Sequence, residues 1–208
     1  MNTSEFLDLL HPQLTVTSHK KGETLTANLA ASDKLFYVRS GCVLLRHANI
    51  VSELDRQSTT LKHSGEFIGL DYIFKGSNSR TSAKVWHDSQ IASLRRSDLM
   101  ELLTKELAHK STEILGLFLT LLSEESHDKT KQIEAMTVLP SLDRMMFALQ
   151  DAGKKGGSQH TAGVVFQINS KVWSDLSGVS YDTGRRNISV LLKSGRLARV
   201  CNGFLAIG

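Results

Sequence analysis

The stretch INSKVWSDLSGVSYDTGRRNISVLLKSGRL, residues 168–197, limits the possible folds of this chain more than any other part of it. Asn169 and Ser180 each stand before a helical pattern, where their side chains can accept backbone N–H bonds. Gly178 separates the two patterns, and Gly195 follows the second one, where a left-handed helix end favours glycine. The stretch therefore predicts two short helices joined by a tight turn, which is a helix-turn-helix.

The second helix of this pair is predicted to have an apolar side and a basic, polar side. Ile188, Leu191 and Leu192 recur at helical spacing. The polar side carries Tyr181, Asp182, Arg185, Arg186, Ser189 and Lys193. Such a helix fits the major groove of DNA, where side chains meet base edges and phosphates. An ordinary amphipathic helix pair with a solvated face has the same pattern, so other parts of the chain must decide.

Positive charge is concentrated in the same part of the chain. The 208 residues have a net charge of +4. Residues 138–208 contain nine Lys and Arg against four Asp and Glu, a net charge of +5, whereas residues 1–137 contain 16 against 17. A small unit with this excess of positive charge favours a polyanionic partner.

Composition argues against several other classes of protein. No window contains the ~18 uncharged apolar residues of a membrane span, and the first residues, MNTSEFLDLL, lack the pattern of a secretory signal. Cys42 and Cys201 are the two cysteines, and their separation fits neither a disulfide framework nor a thiolate metal site. We therefore expect a cytoplasmic protein with reduced thiols and no membrane partner.

Short strand-like runs extend from about Thr15 to Ile91. They are TVTSH, ETLTANL, KLFYVRSGCVLLRH, STTLKH, EFIGL, TSAKVWH and QIASL. No helical pattern separates them, which favours an antiparallel β-roll over a parallel sheet. Turns are predicted at the junctions of these runs, at Gly22, Gly41, Gly65 and Gly69.

Two helical patterns follow the strands. The first begins near Ser97, which we expect to cap SDLMELLTKEL. The second begins near Ser111, and its heptad spacing predicts a dimer seam. The apolar positions of this seam are Leu115, Leu119, Leu122, Ile133 and Met136. Ser126 and Lys129 interrupt it, which suits either a solvated segment or a ligand between two helices, and packing of the whole helix on its own β-domain remains an alternative.

Pro140 marks the end of the long helix, because proline disfavours helix at the preceding residue. The next run, SLDRMMFALQDAG, predicts a helix that is capped by Ser141 and ends at Gly153. A loop, KKGGSQHTAG, and a strand, VVFQI, lead to the helix-turn-helix. Beyond it, RLARV and FLAI flank an Asn-Gly pair at positions 202 and 203, which predicts a hairpin wing.

The predicted architecture is α+β with three parts. We assign a β-roll to residues 1–96, connecting and dimerisation helices to residues 97–137, and a winged helix-turn-helix to residues 138–208. This order of elements resembles the Crp/Fnr family of bacterial transcription regulators along nearly the entire chain. The most specific motifs are GEFIGLDYIF (65–74), SRTSA (79–83) and the stretch 168–197.

This resemblance implies a transcription regulator, not an enzyme, that binds a palindromic site on double-stranded DNA as a homodimer. RNA polymerase is a further expected partner. The oxygen-sensing branch of the family uses an N-terminal cysteine cluster, which this sequence does not contain. The atypical ligand cassette and the short N-terminus are similar to the IprA-like branch, which is associated with peroxide resistance, so a link to oxidative stress is expected.

The same resemblance indicates where a nucleotide would bind. In members that bind cyclic AMP, an Arg-Ser or Arg-Thr pair holds the phosphate, and a glutamate after the cassette glycine holds the ribose hydroxyl. Leu70 occupies that glutamate position, and leaving a buried hydroxyl unpaired costs about 1–3 kcal/mol. Asp71 would point to the opposite side of an extended segment. We therefore expect no cyclic AMP cofactor. The degenerate pocket comprises Gly69, Arg80, Thr81 and Thr130.

On DNA, the positions that read bases in the family correspond to Tyr181, Asp182 and Arg186. Arginine can bond a guanine edge and Asp can accept from a cytosine amino group, so G·C pairs are expected in each half-site. Tyr181 replaces a family arginine, which predicts a different operator. Phosphate contacts are expected from Lys171, Ser180, Arg185, Ser189, Lys193 and Arg199. Gly184 should cost about 1 kcal/mol relative to alanine, with no compensation visible in the sequence.

Two other classes of function share the general pattern. Metal-dependent enzymes also use β-rolls, but they need clustered ligands, and the eight histidines have no metal-ligand spacing. These are His11, His19, His47, His63, His87, His109, His127 and His160. The second class is a ligand-binding or protein-interaction module whose winged helix has lost DNA binding, and the sequence leaves it open.

Overall fold

The structure, a computed structural model of the chain, describes residues 1–47, 58–74, 81–160, 163–200 and 203–207. The chain divides into two compact units. Unit 1 comprises Met1–Leu45 and Lys62–Thr130, and unit 2 comprises Arg46–Leu61 and Lys131–Gly208.

The strands of the first sheet confirm the predicted antiparallel architecture. They are β1 (Thr15–His19), β2 (Thr24–Thr26), β3 (Lys34–His47), β4 (Ser58–His63), β5 (Phe67–Ile68) and β6 (Thr81–Arg95). The order is β1-β6-β3-β4, with β2 also paired to β6 and β5 to β3. In the register of β1 with β6, Thr15 lies opposite Ser93 and His19 opposite Ser89. The runs TSAKVWH and QIASL, predicted as separate strands, are one continuous strand, β6.

Gly41 does not lie at a strand junction as predicted. It is inside β3 with φ of 93°, and a Cβ there would overlap the Ser89 hydroxyl on β6. That hydroxyl accepts a hydrogen bond from the Cys42 N–H at 3.1 Å. Glycine is therefore required because it allows a side chain of the neighbouring strand to reach the backbone of β3.

Helices cover the sheet of unit 1. They are α1 (Thr3–Leu10), α2 (Leu29–Ser32), α3 (Leu70–Phe74), α4 (Arg96–Thr104) and α5 (Ser111–Val138), the last of which continues into unit 2. Helix α1 was not predicted, although Asn2 and Glu5 have the spacing of a capping box. In the structure, Asn2 Oδ1 accepts a hydrogen bond from the Glu5 N–H, and the Glu5 carboxylate accepts one from the Asn2 N–H. Ser97 does not cap α4, because the helix begins at Arg96, one residue before it. The Ser97 hydroxyl donates a hydrogen bond to the Asp98 carboxylate.

The core of unit 1 joins these helices to the sheet. Phe6 of α1 lies edge-on against Phe118 of α5, with ring centroids 5.0 Å apart. Around this pair pack Leu10, Leu35, Phe67, Leu70, Ile73, Leu94, Leu99, Leu102, Leu103 and Ile114. The first half of α5 is therefore part of the core of the β-roll unit.

Unit 2 contains a small antiparallel sheet with three helices. Its elements after α5 are α6 (Ser141–Gly156), β7 (Ser158–His160), β8 (Gly163–Phe166), α7 (Ser170–Leu176), α8 (Tyr181–Lys193), β9 (Leu197–Val200) and β10 (Gly203–Ile207). The strand order is β7-β8-β10-β9. The hairpin of β9 and β10 confirms the predicted wing, with Leu205 opposite Ala198.

The limits of α6 differ from the prediction. Pro140 is the N-cap, and the Ser141 hydroxyl accepts a hydrogen bond from the Asn187 amide instead of capping its helix. Helix α6 does not end at Gly153, which is buried inside it. The Gly153 carbonyl accepts a hydrogen bond from the Gly157 N–H at 2.8 Å. Consequently, most of the predicted loop KKGGSQHTAG is helix up to Gly156 and strand β7.

Candidate nucleic-acid interface

Helices α7 and α8 form the helix-turn-helix that the sequence predicts. Asn169 Oδ1 accepts the Val172 N–H at 2.9 Å, and Ser180 Oγ accepts the Thr183 N–H at 3.2 Å. Gly178 has φ of 62° in the turn between the helices, a left-handed conformation that costs glycine little. The predicted caps and turn are therefore confirmed.

Trp173 anchors α7 in the core of unit 2. Its side chain is fully buried, and its indole N–H donates to the Met145 carbonyl of α6 at 2.7 Å. Its ring lies 5.0 Å from that of Phe204 on β10. A buried tryptophan with a satisfied N–H therefore connects α7 both to α6 and to the wing sheet.

The recognition helix α8 presents one buried and one exposed side. Gly184, Ile188 and Leu191 are buried at helical spacing. Opposite them, an exposed stripe carries Asp182, Arg186, Ser189 and Lys193. We call these four residues the recognition stripe.

Tyr181 and Arg185 are also exposed, and they lie beside the recognition stripe. The Arg185 guanidinium carbon is 6.0 Å from the centre of the Tyr181 ring, a cation–π distance. All six positions predicted for the polar side of α8 are thus solvent-accessible. Because Tyr181 contacts Arg185, it also orients the Arg185 guanidinium. This role of Tyr181 was not predicted from the sequence.

Close packing between the helices explains Gly184. A Cβ at this position would overlap the hydroxyl of Ser174 on α7, and would lie 3.0 Å from the Ser174 Cβ. The Ser174 hydroxyl is held there by a hydrogen bond to the Ser170 carbonyl at 2.7 Å. The low helix propensity of glycine is therefore offset by a close approach of α7 to α8, which the sequence alone did not reveal.

The residues predicted to contact phosphates are in different environments. Lys193 and Arg199 are exposed, the latter on strand β9 of the wing. Lys171 is exposed and lies 3.4 Å from Asp175 on its own helix. The Ser180 hydroxyl is engaged in capping α8 and donates to Thr183 Oγ1 at 2.9 Å. Lys193 and Arg199 therefore offer cations directly, whereas Lys171 would exchange a carboxylate partner for a phosphate.

The structure places the residues of the predicted nucleotide pocket in different environments. Leu70 packs in the core of unit 1, and the segment that begins with it is the helix α3, so the expected extended conformation of Asp71 is wrong. Thr81 is fully buried, with its hydroxyl 3.1 Å from that of Tyr72. Thr130 is exposed and donates to the Ser126 carbonyl. Gly69 precedes α3 with φ of 90°, and Arg80 lies outside the described residues.

Charged side chains from β4, α3 and α5 meet beside this region. Lys62 Nζ on β4 lies 3.3 Å from Glu125 Oε2 on α5 and 3.9 Å from Glu66 Oε1. Glu125 Oε1 in turn lies 3.0 Å from Lys129 Nζ, one turn along the helix. Asp71 of α3 interacts electrostatically with Glu125, Lys129 and Lys62. We call Lys62, Glu66, Asp71, Glu125 and Lys129 the polar cluster.

Burial and charge act in opposite directions on the acids of the polar cluster. Burial opposes ionisation of Glu125, but the Lys62 and Lys129 ammonium groups outweigh it and lower the pKa of this carboxyl. Loss of hydration raises the pKa of Asp71, and Glu125 adds to that effect, although the residue as a whole remains exposed. The polar cluster was not predicted from the sequence, where its one local signal is a lysine inside the strand STTLKH.

The predicted dimer seam is largely solvent-accessible in the single chain. Leu119 is 68% exposed and Ile133 is 61% exposed, while Leu115 and Met136 are also exposed. Leu122 differs, since it packs partly against the core of unit 1. Four of the five apolar seam residues thus form an exposed row along α5.

Cys42 is the cysteine that the structure describes, and its environment does not favour a reactive thiol. Cys42 is buried, and desolvation, supported by Glu66, raises the pKa of its thiol to about 12. Cys201 lies outside the described residues. In the described part of the chain, His, Cys, Asp and Glu side chains form no group of three that could hold a metal ion. No helix in that part is long and apolar enough to span a bilayer.

Comparison with solved structures shows which fold this is. The global regulator CLP of Xanthomonas campestris, described as responsive to c-di-GMP, has a TM-score of 0.81 at 21% identity, covering 99% of both chains. A Crp/Fnr-family regulator from Thermus thermophilus has a TM-score of 0.72 at 18% identity, covering 93% of this chain and 94% of its own. FixK2 of Bradyrhizobium japonicum has a TM-score of 0.72 at 16% identity, covering 93% and 92%.

The chain has the Crp/Fnr fold. No family model and no curated protein sequence matches it. The structural similarity covers both units, so the Crp/Fnr fold predicted from the sequence is confirmed from the β-roll to the wing.

Proposed function

We propose that this chain is a sequence-specific DNA-binding transcription regulator of the Crp/Fnr type, located in the cytoplasm. The observation that carries the proposal is the recognition stripe of α8: an acid, an arginine, a serine and a lysine, all exposed, on the second helix of a winged helix-turn-helix. A helix with this surface can enter the major groove, while its buried side stays in the core of unit 2. The Crp/Fnr fold of the whole chain supports the same conclusion.

The proposed contacts divide into bases and phosphates. Arg186 would bond the edge of a guanine, Asp182 would accept from a cytosine amino group, and Tyr181 would contact an adjoining base. The flanking residues would hold the backbone of the DNA and fix the register of α8. They are Lys171, Ser180, Arg185, Ser189, Lys193 and Arg199.

The proposed active species is a homodimer on a palindromic site. The exposed apolar row of α5 is the surface we assign to self-association, because water contact with four such side chains is unfavourable. A two-fold dimer would present one α8 to each half-site, with half-sites about one helical turn apart. In this proposal residues 1–96 act as the effector-like domain, residues 97–137 link and dimerise, and residues 138–208 bind DNA, with RNA polymerase as a further partner.

We propose that cyclic AMP is not the effector. Leu70 is part of the apolar core and cannot accept a hydrogen bond from a ribose hydroxyl. The Thr81 hydroxyl is already within hydrogen-bond distance of the Tyr72 hydroxyl. The resemblance to the IprA-like branch adds a role in resistance to oxidative stress. A buried Cys42 with a raised pKa argues that this role does not use that thiol as the sensor.

The proposal is tested by selecting bound fragments from genomic DNA with the purified chain and measuring affinity for the recovered site at several salt concentrations. We expect a palindromic site, bound with a steep loss of affinity as salt rises. A chain that binds no site even at low salt would instead be a ligand-binding or interaction module.

Arg186→Ala tests the mode of recognition. It should weaken the specific site by about 1–3 kcal/mol and leave affinity for random DNA nearly unchanged, because a base contact is lost. Lys193→Ala is the matched control on the same stripe, and it should weaken both DNAs alike. Equal losses on both DNAs for Arg186→Ala would show that this residue contacts only phosphate.

A further inference from the structure

The polar cluster is next to the positions where the family resemblance places nucleotide contacts. Asp71 follows Leu70, which replaces the ribose-binding glutamate, and Lys129 precedes Thr130, the expected hydroxyl contact on the long helix. In the structure, charged side chains from these segments interact with one another. The chain's own residues therefore connect α3 and β4 to α5 beside the predicted pocket.

The side of α5 that faces the roll changes from apolar to charged along the helix. Ile114 and Phe118 are buried in the core of unit 1, and Leu121 packs partly against it. Glu125 follows at the same helical spacing and meets Lys62 of β4. Contact between α5 and the roll thus continues beyond the apolar core through an ion pair.

This ion pair has strict geometric requirements. Lys62 is only 6% exposed, so its ammonium group depends on carboxylates close by. Without Glu125, Lys62 retains the more distant Glu66 carboxylate, and without Lys62, Glu125 retains Lys129 of its own helix, so either loss removes the ion pair between β4 and α5. Because one partner is on a strand and the other on a helix, their contact restrains the position of α5 on the roll beyond its apolar core.

The rotation of α5 matters for the exposed row on the same helix. Leu115, Leu119 and Leu122 each come one residue after a position that faces the core, which places them about 100° further around the helix. Any rotation of α5 on the roll would therefore turn these side chains as well. The contact at Glu125, together with the buried Ile114 and Phe118, therefore restrains the direction in which the row points.

We propose that Lys62 and Glu125 are positioning residues that hold α5 on the β-roll in place of a small-molecule effector, so that the chain is competent for DNA without a nucleotide. The inference rests on the proposed function as a dimeric DNA-binding regulator. Lys129 is the control for this link, because its ion pair is with Glu125 of the same helix, and it interacts with Asp71 of α3 only electrostatically, without a close ion pair.

The test uses the purified 208-residue chain, freed of nucleotide, and titrates it on the palindromic site recovered by selection. Wild type should bind without any added nucleotide. Lys62→Gln and Glu125→Gln should each raise the half-saturating protein concentration at least tenfold, while Lys129→Gln should change it less than twofold. Circular dichroism at the assay temperature checks that each variant is folded.

The charges of these variants separate positioning from simple electrostatics. Lys62→Gln removes a positive charge and Glu125→Gln a negative one, so long-range attraction to DNA would shift their affinities in opposite directions. Positioning predicts losses in the same direction. It also predicts that Lys62→Met/Glu125→Leu regains most of the affinity, because an apolar pair can replace a buried ion pair and would extend the apolar side of α5.

Each outcome has a definite meaning. Unchanged affinity in folded Lys62→Gln and Glu125→Gln, opposite shifts in the two, or a wild type that needs added cyclic AMP would overturn the positioning role alone. A wild type that binds no palindromic site under any condition would contradict the proposed function itself. If Lys62→Gln does not fold, Glu125→Gln decides, since the Glu125 side chain is 28% exposed and tolerates a neutral amide more readily.

Discussion

Gly184 and Ser174 show how a pair of small residues sets the distance between two helices. The glycine lies on α8 and the serine on α7, and there is no room for a Cβ between them. Position 184 is only two residues from both Asp182 and Arg186 of the recognition stripe. The contact therefore determines how these two side chains stand relative to the rest of unit 2.

Gly184→Ala should destabilise unit 2 even though alanine is the better helix former. Overpacking costs about 1–3 kcal/mol, which exceeds the gain of about 1 kcal/mol in helix propensity. Specific DNA affinity should fall as well, because α8 must shift away from α7. Urea unfolding and DNA titration measure the two effects.

Compensating variants distinguish this contact from a general effect at position 184. Ser174→Gly/Gly184→Ala should recover the stability lost in Gly184→Ala beyond the sum of the single changes. Ser174→Ala/Gly184→Ala should recover less, because the two Cβ atoms would remain about 3.0 Å apart. Strict additivity in both double variants would contradict a direct contact.

Cys42 should be almost inert to thiol reagents in the folded chain. With its pKa raised from 9.0 to about 12, the thiolate fraction at pH 8 falls about a thousandfold, and burial blocks access further. Reactivity should increase about tenfold with each pH unit below 12 and should rise strongly as the chain unfolds. Iodoacetamide labelling of the Cys42 peptide, followed by mass spectrometry with and without urea, measures this. Rapid labelling at pH 8 without urea would show that the thiol is accessible.

Helix α5 has two functions at the scale of a single element. One of its sides belongs to the core of unit 1, and a second side carries the exposed apolar row. The sequence predicted this row from heptad spacing but did not predict that Leu122 would also contact the core. A helix that packs on its own domain and also exposes a seam reconciles two readings that the sequence had left as alternatives.

Leu119→Glu should convert a dimer into a monomer at micromolar concentrations. Leu119 is 68% exposed in the single chain, so the change should leave unit 1 folded while placing like charges at the seam. Val138→Glu, at an exposed apolar position off the heptad, is the matched control and should remain dimeric. Sedimentation velocity measures both. A dimeric Leu119→Glu variant would place the interface elsewhere.

At the scale of the whole molecule, the exposed recognition stripe of α8 occurs in the same chain as a predicted nucleotide pocket whose Leu70 is buried. The recognition stripe and the wing are present, whereas Leu70 is buried and the polar cluster connects β4 to α5. In the solved Crp/Fnr structures the same fold occurs at below 25% identity.

Cyclic AMP should neither stabilise the chain nor change its affinity for DNA. A ligand with a Kd of about 10 μM, added at about 1 mM, would stabilise the folded state by about 2.7 kcal/mol and raise the melting temperature by several degrees. We expect a shift below one degree for cyclic AMP. Differential scanning fluorimetry measures it, with cyclic di-GMP as a second probe because a structural relative responds to it. A shift of several degrees with either nucleotide would show that the pocket is functional.

Much of the fold could be predicted because its signals are local. The caps Asn169 and Ser180, the turn at Gly178 and the two sides of α8 each depend on residues within a few positions of one another. The same is true of the strand runs and the hairpin wing. Errors arose where local rules compete, as at Ser97, Ser141 and Gly153, since a neighbouring residue or a buried environment determines which group caps or ends a helix.

The sequence by itself determined the succession of elements, the basic character of the carboxyl-terminal part and the residues that α8 exposes, because backbone propensity and helical spacing suffice for these features. Only the tertiary structure decided which distant residues meet. Ser174 against Gly184 and Lys62 against Glu125 are contacts between different elements, and their energies depend on distances and burial that no spacing in the chain encodes.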